Sequence, residues 1–237
     1  MRLVRPVACA GLIASLACGP ALAGSFMANP IRLVVPAGAN ATSLTLENTG
    51  PDPVLVQAEV LAWSQADGKD VLTASEDLVV SPPIFKVAAG ASQIVRVGIL
   101  RRNAGERELT YRVFLQEVPE PAASGAQGVN VALRLGLPVF VMPRANAAPQ
   151  LAWRAVRDPR GVKVTVTNTG NAHAQLIECR VVRENGTVVA EQPLAAYVLP
   201  GSTRSWLVKT GGAASAEKLR LSVQTANGLV SADITAP

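Results

Sequence analysis

Apolar side chains recur at every second position through most of this chain. SLTLEN (43–48), VLVQAEVLAW (54–63), QIVRVGIL (93–100), TYRVFLQEV (110–118) and VNVALRLGLPVFV (129–141) all read this way. Successive side chains of a strand point to opposite faces, so this alternation marks strands, whereas a period of about 3.6 would mark helix. The turn-forming stretches TGPDP, ADGK, AAGA and NAGERE separate the runs, which is the pattern of an antiparallel β fold. A break follows at PRANAAPQ, where Pro143 and Pro149 bracket small and polar residues. The series then restarts with VKVTVTN, AQLIECRVV, SWLVKT, KLRLSVQT and LVSADIT, punctuated by DPRG, NTGNAH, ENGT, LPGS and ANGL. The pattern predicts an all-β chain of two β-sandwiches, about 115 and 95 residues long, spanning 24–142 and 143–237 and joined near residues 143–148.

One run stands out. In GVNVALRLGLPVFVMP, Val129, Val131, Leu133, Leu135 and Leu137 fall on one face, with Asn130, Ala132, Arg134, Gly136 and Pro138 on the other. It follows PEPAASGAQ, a flexible lead-in suited to an exposed edge. The apolar row can fill either its own core or a partner's. If Val129, Val131, Leu133 and Leu135 are buried by a partner, the row contributes on the order of 6–12 kcal/mol before ordering costs, enough for a stable complex without ATP.

The first 23 residues differ from the rest. Arg2 and Arg5, the apolar VACAGLIASLACG and the small-residue end at Ala21-Leu22-Ala23 describe a secretory signal peptide cleaved after Ala23. Cys18 raises a lipid-anchor alternative, although Ser15 stands where such sites carry an aliphatic residue. No later segment approaches the ~20 apolar residues of a membrane helix, so no stable membrane insertion is expected. Export into a bacterial periplasm is the expected route. Cys179 is then the single mature cysteine, inside the apolar AQLIECRVV, and reads as a buried inert thiol. The formal charge of +5 falls by two with Arg2 and Arg5. The basic residues form no stripe and no aromatics interleave them, so nucleic acid is not an expected partner.

Taken together, NPIRLVVPAG, SLTLENTG, VSPPIFKVAAGASQIVRV and YRVFLQEVP in the first half, with VTNTGNAHAQL and VLPGSTRSW in the second, resemble the periplasmic chaperones of the chaperone-usher pathway, the PapD-like superfamily. LRLGLPVFV and VLPGSTRSW lean toward its archaic branch. The resemblance implies two immunoglobulin-like domains in a boomerang, the first of which binds pilin-like fibre subunits for delivery to an outer-membrane usher. It implies that Val129, Val131, Leu133 and Leu135 are lent to a subunit whose own sandwich lacks a strand, which is β-strand addition. Leu137, Val139 and Val141 would stay in the chaperone's own core.

The resemblance also implies a basic pair that grips the subunit's C-terminal carboxylate. One member maps onto Arg32, whose planar donors suit a carboxylate. The other, a Lys late in the lent strand, maps onto Pro138, so half of the pair is missing. Either Arg32 acts alone or Arg112 or Arg134 takes the second place; the alternative is that all three are solvated strand residues. Pro138 also removes one N–H, so pairing is expected to weaken or bulge there.

Little points to an enzyme. His173 is the single histidine and reads as a capping or packing residue rather than a base. With one mature cysteine it cannot complete a zinc set, and neither metal nor cofactor is expected. No G-x-S-x-G elbow or phosphate-cradling loop occurs. Phe85 and Trp206 read as core aromatics. Two rivals remain: a secreted structural or adhesive protein such as a fibre subunit, and a hydrolase or metal enzyme on a sandwich fold. Against the first, GSFMANP is too short and irregular for a subunit's alternating N-terminal extension.

Overall fold

The computed structural model describes residues 26–101, 105–119, 131–144, 146–210 and 218–235. Val129 and the expected signal peptide lie outside these residues. All regular structure in the described residues is β, arranged as two immunoglobulin-like sandwiches.

In the first sandwich, β1 (Phe26–Asn29), β3 (Ala41–Asn48), β8 (Ser92–Ile99) and β6 (Leu78–Ser81) form one sheet in that order. The opposing sheet runs β2 (Leu33–Val35), β10 (Arg134–Val141), β9 (Leu109–Glu117), β4 (Val54–Ala66), with β5 (Lys69–Ala74) and β7 (Ile84–Val87) both paired to β4. Alternation drives this packing. Leu44, Leu46, Val95 and Val97 from one sheet meet Val56, Val113, Leu115 and Val139 from the other, all fully buried. Leu137, Val139 and Val141 join this core, and so does Phe85. Between β1 and β2 the chain leaves one sheet for the other at Pro30, which brings Arg32 to the edge of β10.

The second sandwich comprises β11 (Leu151–Asp158), β12 (Gly161–Asn168), β13 (Ala174–Arg183), β14 (Val188–Val198), β15 (Thr203–Lys209), β16 (Leu219–Thr225) and β17 (Gly228–Thr235). Its order is β14-β13-β16-β17-β11-β12-β15. β17 runs antiparallel to β16 from Gly228 to Asp233, then parallel to β11 through Ile234 and Thr235, so one strand belongs to both sheets. Val164, Val166, Leu176, Val181, Val223 and Cys179 fill the core, with Trp206 packed against it.

Both sandwiches turn on the same buried corner, written N-T-G in both halves of the sequence. The Asn48 amide donates to Asp52 O and Val87 O, and its Oδ1 accepts from Gly50 N. The Asn168 amide donates to Ala172 O and Val198 O, and its Oδ1 accepts from Gly170 N and Gln150 N. Gly170 is required by close approach, since a Cβ there would lie 2.4 Å from Ala148 O. These amides explain how two wholly buried polar side chains are tolerated.

The outer face of the first sandwich's β2–β10–β9–β4 sheet is sealed at one end by the second. Trp63 and Phe140 point outward from β4 and β10, yet are buried against Leu199 and Tyr197. His173 stacks on Phe140 at 3.6 Å and its Nδ1 lies 2.9 Å from both oxygens of the buried Glu108 carboxylate, so its role is packing and bridging between the sandwiches.

Candidate functional site

β10 is flanked unequally. On one side it pairs with β9 along its whole length, from Arg134↔Gln116 to Val141↔Leu109. On the other, β2 covers only Val139 to Val141. Among the described residues no strand covers Arg134 to Pro138 on that side, so this stretch is an open edge. The chain before it stays extended: Leu133 O accepts from Glu117 N and Leu133 N donates to the Glu117 carboxylate.

The expected row divides here. Val131 is 65% exposed and Leu133 36%, both large apolar side chains without a core of their own. Leu135 is half-buried and packs against the first sandwich's core. Among the described residues the regular strand begins at Arg134, and Leu133 prolongs its contact with β9 through both backbone groups on Glu117.

Pro138 behaves differently from expectation. Pairing with β9 continues through Pro138↔Arg112 without a register shift. Leu133 faces its backbone groups toward β9, and successive residues alternate, so Pro138 faces its nitrogen to the opposite side. Met142 N donates to Val35 O on that same opposite side, consistent with this alternation. The missing N–H therefore costs the β9 ladder nothing. It falls on the open edge, where a guest strand would lose a partner.

At this end of the edge the basic residues gather. Arg32 immediately precedes Leu33, the partner of Val139, so it arrives at the level of Pro138. Arg112 pairs with Pro138 from the other side. The Arg112 guanidinium lies 4.1 Å over the Trp63 ring, its Nη2 is 3.3 Å from Asp70 Oδ2, and its buried Nε has no hydrogen-bond partner among the described residues. Arg32 Nη1 donates to Gln175 Oε1 at 3.3 Å across the boundary between sandwiches. Tyr197 feels both charges: burial raises its phenol above the ordinary value, and the positive charges of Arg32 and Arg112 offset part of that rise.

Arg134 is not part of this group. It lies four residues along the strand, paired with Glu59 at 2.8 Å and stacked over Phe114. Gly136 makes room for that ring, because a Cβ would lie 2.8 Å from Phe114 Cε1. Asp70, Gln65 and Arg204, which complete the Arg112 surroundings, were not singled out in the sequence; a charged residue just after the ADGK turn was the available signal. Among the described residues no three His, Cys, Asp or Glu side chains converge as a metal site would require.

The model of the pili and flagellar-assembly chaperone PapD N-terminal domain matches residues 25–147. This chain belongs to that family. The Escherichia coli uncharacterized fimbrial chaperone YcbF is 25% identical over 144 residues, 56% of this chain and 59% of YcbF, so the chain spans less than two-thirds of that relative's length. The Bordetella pertussis chaperone protein FimB/FhaD is 28% identical over 225 residues, 88% of this chain and 86% of its own. Among solved structures, the complex of CsuC with the tip adhesion subunit CsuE, from the archaic Csu pili of Acinetobacter baumannii, aligns with a TM-score of 0.67 at 23% identity. That alignment covers 90% of this chain and 99% of the other. It shares the fold of the two sandwiches described above.

Proposed function

We propose that this family member is an ATP-independent periplasmic chaperone that holds pilin-like fibre subunits by lending them a strand and hands them to an outer-membrane usher. In this reading residues 24–142 bind the subunit and 143–237 orient the complex. One observation carries it: an edge open from Arg134 to Pro138, preceded by the exposed Val131 and Leu133, ends between two arginines. Val129 would extend the row, and Leu135 would contribute its exposed part.

A subunit strand laid along this edge gains backbone hydrogen bonds, and its open groove gains Val131 and Leu133. At Pro138 the edge loses its donor, and beyond it β2 occupies the place a guest would need. A guest strand must therefore stop where Arg32 and Arg112 lie, which suits a chain end bearing a carboxylate. Arg112 takes the second anchor place that Pro138 leaves empty. Arg134 is a strand residue outside the anchor.

The test is the double change Val131→Asp with Leu133→Asp. These side chains face a partner, so the variant keeps the melting temperature of the parent. Two charges in a dry groove cost several kcal/mol, and co-expressed subunit is no longer recovered in soluble form. A variant that folds and still holds subunit would refute strand lending. One that cannot fold would return the row to the chaperone's own core.

A further inference from the structure

The carboxylate of Asp70 joins the two sandwiches. Oδ1 accepts from Arg204 Nη1 of the second sandwich at 2.8 Å and from Gln65 Nε2 at 2.9 Å. Gln65 is itself fixed, since its Oε1 accepts from Leu199 N and its Nε2 also donates to Tyr197 O. Among the described residues Oδ2 makes one contact, longer at 3.3 Å, to Arg112 Nη2. Asp70 thus holds its place without Arg112.

Arg112 is in the complementary state. A guanidinium presents Nε and Nη2 as parallel donors to a carboxylate's two oxygens. Here Asp70 takes the Nη2 donor with one oxygen and the Nε donor is unfilled. Stacking on Trp63 fixes the plane of the group. The guanidinium is oriented and neutralised, and its buried Nε donor is still unpaired among the described residues.

We propose that Asp70 is the resident occupant of the carboxylate anchor, and that it yields Arg112 to the C-terminal carboxylate of an incoming strand while remaining on Arg204. This rests on the strand-lending reading above. The exchange replaces one carboxylate on Arg112 with another, so Arg112 is never left buried and unpaired. It also means that the anchor fixes register more than it adds affinity, which keeps the complex releasable. Because Asp70 stays on Arg204, the contact between the sandwiches survives the exchange.

The experiment uses the mature chain and two synthetic peptides of one alternating apolar and polar sequence, one ending in a free carboxylate and the other amidated. Binding is followed by fluorescence anisotropy. Asp70→Asn keeps the shape and removes the competing charge, so the free acid gains about tenfold in affinity and the amide does not change. Asp70→Ser gives the same readout should the first variant not fold. Adding Arg112→Gln to either returns acid and amide to parity. An unchanged acid-to-amide ratio in the Asp70 variants overturns the proposal, and a reduced ratio would show that Asp70 aims Arg112 instead of competing for it. If the parent binds neither peptide, strand lending itself fails and this proposal falls with it.

Discussion

The two sandwiches are built on one plan and differ at their edges. Both turn on a buried asparagine whose amide reaches the same places: the carbonyl four residues on and the end of a later strand, at Val87 or Val198. The following turns also match. Gly90 N donates to Asn48 O and Asn48 N to Ala91 O; Gly201 N donates to Asn168 O and Asn168 N to Ser202 O. Edges are where natural sheets risk pairing with other chains. The second sandwich blunts its own. Edge strand β14 carries Pro193 within it and irregular register against β13, and edge strand β15 presents Arg204 and Lys209. Among the described residues, the first sandwich leaves one side of β10 uncovered from Arg134 to Pro138, next to the exposed Val131 and Leu133. With the scaffold held constant, the open edge is a property of the first sandwich's own sequence and not a consequence of the fold.

The largest effect should come from breaking what the two share. Asn168→Ala leaves two buried carbonyls and two N–H groups without partners, and Asn48→Ala two carbonyls and one N–H. Each should cost about 3 kcal/mol, with Asn168→Ala the more damaging. Calorimetry should show each change lowering chiefly the transition of its own sandwich. Equal shifts of a single transition would mean that the seam at Trp63, Phe140 and Leu199 makes them one cooperative unit.

Period-two alternation carried most of the fold, because strands buried on one face must write that period. It failed where burial does not. β5 is nearly all exposed, so KDVLTA shows no apolar row. In β14, Pro193 and the left-handed Ala195 interrupt the pattern. Trp63 and Phe140 sit on the outward face, a place that alternation assigns to solvent; only the second sandwich makes it a core. The candidate site was half legible. Val131 and Leu133 followed from alternation and resemblance, but the partial burial of Leu135 depends on how far β10 stays on its sheet. Arg112 could not be chosen over Arg134 from spacing, since both lie on outward faces; what separates them is the register that sets Arg112 against Pro138.

A smaller effect should separate those two arginines. Arg112→Gln removes the fork beside Arg32, and the preference for a free-acid strand over its amide should fall about tenfold, or ~1.4 kcal/mol. Arg134→Gln removes a half-exposed pair with Glu59, worth about 0–1 kcal/mol of stability, and the stacking over Phe114, and the preference should stay. Loss of preference in Arg134→Gln alone would put the anchor farther along the edge than the register allows.

The smallest effect tests whether the second sandwich is as closed as its edges suggest. Cys179 is buried in its core, and burial, reinforced by the Glu178 charge, pushes the thiol up to about 12. Only the thiolate reacts, so at pH 8 the folded thiol should react on the order of a thousandfold more slowly than a free cysteine. Labelling by a polar thiol reagent then proceeds mainly through transient opening of this sandwich, and its rate reports how often that happens. Asn168→Ala, which weakens the corner of the same core, should speed labelling. Asn48→Ala, in the other sandwich, should leave it near the parent rate. Fast labelling of the native parent would contradict the burial itself. Equal acceleration by both changes would show that the sandwiches open together, and the contrast between a closed second unit and an open-edged first would then hold for their surfaces but not for their stability.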